Sequence, residues 1–200
     1  MMTEFKRIQI PVVPLHTVLL PEGPLPLRIF EPRYLDMISK CMKEDSAFGI
    51  CLIAEGDEVG STANPHEIGT IARIKDWNMG RDGILGITVV GEQRFKIISS
   101  TVKPNNLMLA EVELLPERKG ILLKEEYTNI MKFVKESLSN YSDLYSGLPE
   151  RYDDALWVSY RLTEMLPLKL YQKQYFLQLD DPEQRLERLT DVLDHLDIHV

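Results

Sequence analysis

The sequence has few cysteines, no excess of basic residues and no long apolar run. Its 200 residues include two cysteines, Cys41 and Cys51, and no C-x-x-C pair, so neither a structural zinc site nor a disulfide framework is indicated. No apolar run approaches the roughly 20 residues that a membrane helix needs. With 23 basic and 31 acidic residues, the formal net charge is −8. We therefore expect no membrane and no nucleic-acid partner, since phosphate contacts need Lys and Arg.

Both cysteines fall in segments with an apolar pattern. Cys41 lies on a predicted helix and Cys51 within a predicted strand, so we interpret them as small buried hydrophobic residues rather than as a disulfide or a reactive thiol. The first seven residues lack the apolar region of a signal peptide. Reduced thiols and this start predict a cytoplasmic protein.

Catalytic motifs are also missing. Residues 86–91 have the glycine spacing of a nucleotide loop, but Glu92 stands where a lysine is required. His66 and Glu67 begin a zinc-protease pattern that lacks its second histidine, and there is no G-x-S-x-G. We predict that the chain is not an enzyme and needs no cofactor.

One weak metal pattern lies near residue 200. His195 and His199 are four residues apart, with Asp191 and Asp194 nearby, so a helix would place them on one face. A solvated helix end, with histidine favoured by the helix dipole, is the interpretation we prefer.

The character of the sequence changes near residue 118. Residues 1–118 hold short β-rich runs broken by Gly, Pro and Asn, with 13 basic and 16 acidic residues. Residues 119–200 have helical periodicity, with 10 basic and 15 acidic residues. The sequence thus predicts an α+β protein with a β-domain at 1–118 and a helical domain at 119–200.

The first part predicts a small closed or half-closed β-barrel with one helix. Residues 21–26 are expected to form a loop, since three prolines remove three backbone donors. Pro32 should begin a helix whose apolar stripe is Leu35, Ile38 and Met42. Gly91 is expected to mark a bend or bulge, with Arg94 outward and Phe95 inward on the next strand. The predicted strands are 8–13, 48–54, 68–75, 84–90, 94–99 and 108–115.

The second part predicts a four-helix bundle. Asp153 or Asp154 can cap one helix, and Asp181 can cap another with Pro182 at its first position. The last helix carries leucines at spacings of three and four, the pattern of a helix packed on helices. These are Leu186, Leu189, Leu193 and Leu196.

Two early segments carry a family resemblance. Residues 13–23 and 26–34 closely resemble the start of the Lon protease N-terminal domain family, P-L-x-x-x-V-x-x-P-G followed by P-L-x-I-F-E-x-R-Y, except that Glu22 is inserted before the glycine. Residues 68–74 and 90–95 resemble the family's G-x-x-A-x-I and G-x-x-R-F elements. Looser similarities continue through residues 166–168, 173–174 and 185–186.

The resemblance implies a PUA-like β-barrel followed by a helical bundle. Because the sequence has no Walker loop and no room for a protease, we expect a free-standing member without the ATPase and Ser-Lys protease modules, or a fragment of that longer architecture. In either case the resemblance implies a non-enzymatic polypeptide-binding module. Its expected partners are unfolded or exposed apolar segments, with a separate ATPase, protease or chaperone. In the matching motif, Phe30, Tyr34, Leu35 and Ile38 should anchor the short helix. Glu31 is expected to cap that helix and Arg33 to reach a loop carbonyl or carboxylate.

The binding surface is predicted from residue type and expected exposure, in a crevice between the two domains and on the proline-rich loop. Strand addition at a barrel edge is an alternative mode. Two other functions stay open: an RNA-binding PUA-like module, and a small-molecule-binding or hydrolytic protein with a site between the domains. The candidate binding residues are Pro24, Leu25, Arg28, Trp77, Arg94 and Tyr141.

Overall fold

The structure is a computed structural model that describes residues 6–60 and 63–198. Its contacts divide the chain into two compact units, Met1–Pro116 and Glu117–Val200. Among the described residues, none of the helices has the length and apolar character needed to cross a membrane. The strands are β1 Arg7–Leu15, β2 Pro24–Ile29, β3 Phe48–Glu55, β4 Asn64–Pro65, β5 Ile68–Met79, β6 Leu85–Val102 and β7 Met108–Leu114. The helices are α1 Pro32–Glu44, the 3-10 helix Glu125–Tyr127, α2 Thr128–Ser139, α3 Ser142–Tyr145, α4 Ala155–Met165, α5 Leu170–Gln178 and α6 Pro182–His195.

Five strands of the first unit pair in a closed circuit. β1 pairs with β7, β7 with β6, β6 with β5 and β5 with β3, all antiparallel, and β3 returns to β1 in parallel. Apolar side chains fill two clusters, one around Phe95 and Val112 and the other around Ile38 and Phe48. Strand alternation supplies these inward residues, as the sequence predicts for 85, 87 and 89.

The prediction of a loop at residues 21–26 is wrong from Pro24 onward. Pro24 begins β2, which in the described part of the chain pairs with β6 alone. Pro24 and Pro26 are two residues apart, so their nitrogens lie on the same side of the strand. An edge strand accommodates prolines there because its outer side has no ladder bond to lose.

β6 is one strand of 18 residues, where the sequence predicts two. The predicted bulge at Gly91 is confirmed: Thr70 pairs with Arg94 and Ala72 with Gly91, so two residues of β6 lie opposite one of β5. The Gly91 N–H donates to the Gly23 carbonyl, and its carbonyl accepts from the Glu22 N–H. A bulge therefore turns β6 without interrupting it.

The outward orientation predicted for Arg94 is wrong. Arg94 is 0% exposed, as is its cross-strand neighbour Thr70. The Thr70 hydroxyl donates to the Leu19 carbonyl at 2.6 Å, which shows that the segment before β2 covers this face of the sheet. The alternation of residue types along a strand cannot show that a distant segment covers one of its faces.

Helix α1 begins at Pro32 as predicted, but its buried face differs from the expected stripe. Leu35 and Met42 are exposed, and so is Phe30, which was expected to anchor the helix. Ile38 is buried as predicted, together with Tyr34, Met37 and Cys41. Both stripes have helical spacing, so tertiary packing decided between them.

The predicted helices of the second unit are present, with an additional short helix, α3. The Asp154 carboxylate accepts from the Leu156 N–H at 2.8 Å, and the Asp181 carboxylate accepts from the Glu183 N–H at 2.9 Å. These bonds confirm both predicted caps, which satisfy first-turn donors of α4 and α6. Of the predicted leucine stripe, all but Leu196 are buried.

Replacing Gly91 with alanine should lower the free energy of unfolding by about 2 kcal/mol, because a Cβ would lie 2.3 Å from the Leu20 carbonyl oxygen. Gly86→Ala is the matched control on the same strand, where the added carbon meets the movable side chain of Asn78. Equilibrium urea unfolding measures both. If both variants lost the same free energy of unfolding, the close contact between Gly91 and the Leu20 carbonyl would not be important for stability.

Candidate functional site

An apolar row crosses three strands of the first unit, β5, β6 and β2. Trp77 of β5 lies opposite Ile87 of β6, and Ile87 lies opposite Leu27 of β2. Directly paired residues share one face of a sheet. Ile87 is buried, whereas Trp77 is 55% exposed and Leu27 is half-buried. The apolar face thus continues past the core into solvent.

A second row of three paired residues lies two positions further along the same strands. Met79 pairs with Leu85, which pairs with Ile29. Met79 is exposed, Leu85 is half-buried and Ile29 is buried. We call the two rows together the apolar strip.

Beside β2 lies an apolar cleft of about 280 Å³. Its walls come from β1, β2 and α1, through residues such as Leu15, Leu27 and Met37. Phe30 and Val59 also line it, and these two are 56% and 58% exposed. Large apolar side chains held at an opening can contact an incoming apolar group.

A buried ion pair positions both of these exposed residues. The Arg33 guanidinium lies 2.9 Å from a Glu31 carboxylate oxygen, and the Glu31 residue follows Phe30 directly. Arg33 also donates to the backbone carbonyls of Asn106 at 2.9 Å and Glu58 at 3.4 Å. Since Glu58 precedes Val59, one side chain ties both edges of the cleft together. The expectation that Arg33 reaches a carbonyl and a carboxylate is confirmed, whereas the Glu31 side chain makes no cap bond.

Tyr34 closes the inner end of this arrangement. Its ring centroid is 4.6 Å from the Arg33 guanidinium carbon, a cation–π contact. Burial raises the pKa of the Tyr34 phenol, and the nearby Arg33 charge opposes that rise. The phenol is therefore neutral near pH 7 and acts as part of the wall.

The structure brings some of the sequence-predicted residues together. Leu25 and Trp77 lie on the face of the sheet that carries the apolar strip, with Leu25 paired to Val89. Pro24 and Arg28 are on β2 with the opposite orientation, and exposed Arg28 pairs with Asp82. Their side chains border the strip from the other face.

The remaining two candidates lie elsewhere. Arg94 is fully buried, so its side chain lies beneath the surface of the first unit. Tyr141 is exposed and precedes α3 in the second unit.

Sequence reasoning missed Phe30, Val59 and Met79 as surface residues. Phe30 was assigned to helix anchoring, and Met79 lies beyond the predicted strand 68–75, whereas β5 continues to Met79 at the hairpin turn. That turn is closed by the Gly80 N–H donating to the Ile84 carbonyl at 2.9 Å. The sequence did hold one signal for such a surface residue, namely an apolar residue just beyond the segment of a strand that is predicted to be buried.

The edge of β2 disfavours strand addition. Pro24 and Pro26 remove two successive N–H donors from the outer side, where an added strand needs them. Side-chain contacts with the strip and cleft therefore suit an incoming chain better than main-chain pairing does.

Both cysteines are buried, as predicted, and burial raises the pKa of each thiol. Within residues 6–60 and 63–198, no three metal-binding side chains cluster. His199 lies outside the described residues, and the His195 Nδ1–H donates to the Asp191 carbonyl oxygen at 2.7 Å.

Comparisons with known proteins agree with this architecture. Residues 9–195 match the family model of the ATP-dependent protease La (LON) substrate-binding domain. A Lon N-terminal domain protein from Xanthomonas campestris is 36% identical with a TM-score of 0.77, over 92% of this chain and 98% of that one. The N-terminal domain of Mycobacterium avium complex Lon protease has the same fold, with a TM-score of 0.64 at 20% identity over 96% of this chain and 100% of that one. The Lon protease of Cytophaga hutchinsonii is 24% identical over 96% of this chain, which spans about a quarter (24%) of that relative's length.

Removing Arg33 should destabilise the first unit and disturb the cleft. Arg33→Ala leaves Glu31 unpaired and should lower the free energy of unfolding by about 3 kcal/mol. Arg28→Ala, which breaks an exposed pair, should change it by less than about 0.5 kcal/mol. Urea unfolding compares the two, and equally small losses would show that the Arg33 pair does not hold the cleft edges.

Proposed function

Because the chain belongs to the family of the Lon substrate-binding domain, we propose that it binds polypeptide segments through their apolar side chains and does not transform them. The observation that carries this proposal is the apolar strip leading past Leu27 to the cleft, with Trp77 and Phe30 exposed. Such large exposed apolar side chains are typical of binding surfaces.

Selectivity for unfolded chains follows from what the surface can contact. Folded proteins bury their large apolar residues, whereas an unfolded segment presents several in succession. Burying one such side chain contributes roughly 1.5–3 kcal/mol, and association costs several kcal/mol. Two or three side chains must therefore engage together, which suits an extended strip with an adjoining cleft.

The finer parts of the proposal rest on similarity and topology. The closed circuit of five strands supports a PUA-like barrel for the first unit, and the leucine stripe of α6 supports a helical bundle for residues 119–200. The matched Lon proteases are about four times as long as this chain. By similarity to these proteases, we propose that an ATPase or protease partner acts on the bound segment, in the cytoplasm.

The proposed contact residues combine the two sets described above. Leu25 and Trp77 contact the bound segment on the strip, and Phe30 and Val59 contact it at the cleft. Pro24 and Arg28 contact it at the border of the strip. Tyr141, in the second unit, is tested by itself. Arg94 acts from within the core, by supporting the sheet beneath the surface.

Trp77→Ala and Phe30→Ala should each weaken binding of a reduced, carboxymethylated unfolded protein by roughly tenfold, since central aromatic contacts dominate interfaces. Fluorescence anisotropy of the labelled unfolded protein measures the dissociation constant. Because both side chains are more than half exposed, the free energy of unfolding should change little.

Tyr171→Ala is the matched control, since Tyr171 is a similarly exposed aromatic residue on α5. Unchanged binding in both Trp77→Ala and Phe30→Ala would overturn the proposed site. Binding that disappears after nuclease treatment of the sample would favour RNA as the ligand instead.

A further inference from the structure

A second groove lies within the helical unit, and it shares no lining residue with the cleft of the first unit. It runs between the start of α2 and the second half of α6, with a volume of about 580 Å³. That volume falls within the roughly 300–1,000 Å³ range of ligand pockets. Its apolar floor combines the buried Ile130 and Leu193 with the half-buried Tyr127 and Ile198, and the last two supply the apolar surface that a ligand can reach.

The rim of this groove carries negative charge only. Glu126 stands on one wall, and Glu187, Asp191 and Asp194 stand on the other. All four residues are exposed, and no ion pair within 4 Å engages them in the described part of the chain. The groove thus combines an apolar floor with four carboxylates that make no ion pair among the described residues.

The placement of these carboxylates is locally unfavourable. Glu187, Asp191 and Asp194 follow spacings of four and three on one face of α6, where like charges repel. Asp191 and Asp194 also lie near the C-terminal end of α6, where the helix dipole disfavours anions. Helix stability therefore does not account for them.

The negative charges of the rim also affect the phenol of Tyr127. Burial raises its pKa, and the neighbouring Glu126, Glu187 and Glu183 carboxylates raise it further, against the opposing charge of Lys124. The floor of the groove thus lies in a region of negative potential.

We propose that this groove binds a basic amphipathic segment of a partner protein. Apolar side chains of the segment lie on Tyr127 and Ile198, and its Lys or Arg side chains pair with the rim carboxylates. Charge complementarity selects this occupant, since the same carboxylates repel nucleic acid and anionic lipid. Binding here is independent of the apolar strip of the first unit.

The probe is a fluorescein-labelled 14-residue peptide with Leu at helical i, i+3, i+4 and i+7 positions and Lys elsewhere. It should bind the full chain, and the affinity should fall as NaCl rises from 50 to 500 mM. A second peptide with Ser in place of Leu should bind at least about tenfold more weakly, because it cannot use the floor.

The decisive variant is Glu187→Lys with Asp191→Lys, which should weaken binding of the Leu/Lys peptide by about tenfold. The control is Asp36→Lys with Glu136→Lys, an equal change of net charge at two exposed positions outside the groove. Circular dichroism melting shows whether α6 is retained in each variant.

Equal weakening by the two double variants would overturn the proposal, since net charge alone would then explain binding. Equal affinity for the Leu and Ser peptides would overturn it as well, because the apolar floor would have no role. Trp77→Ala should leave binding of this peptide unchanged, so failure here is separable from failure of the unfolded-polypeptide site.

Discussion

The close approach of Gly91 to Leu20 is the contact on which the first unit depends. It allows β6 to bulge, so that one strand pairs with β2 before the bulge and with β7 after it. The second half of β6 closes the circuit of strands. Its first half, paired with β5 and β2, is free to carry the apolar face beyond the core.

The core and the proposed binding surface thus arise from the same alternation. Ile87 is covered by the core, whereas Trp77 and Leu27 on either side of it are not fully covered. The cleft depends on a different interaction, the buried pair of Arg33 and Glu31. Charged groups at this edge fix the backbone, and apolar groups beside them are left to make contacts.

The surfaces proposed for binding in the two units have opposite chemistries. The first presents aromatic and aliphatic side chains with neighbouring ion pairs already satisfied, such as Arg28 with Asp82. The second presents carboxylates without partners around an apolar floor. Apolar contacts tolerate many sequences, whereas a charged rim requires a partner of complementary charge.

The sequence by itself determined the features that depend on near neighbours. Pro32, Asp154 and Asp181 predict their helix starts because capping is decided within one turn, and the alternation at 85–89 predicts a strand face. The candidate residues Trp77 and Leu25 were chosen differently, by residue type and expected exposure, outside the predicted strands. Tertiary structure alone decided that β2 forms an edge strand, that Arg94 is buried and that Phe30 and Val59 stand at an opening. Each of these depends on which distant segment supplies a pairing edge or a cover, and local periodicity holds no information about that segment.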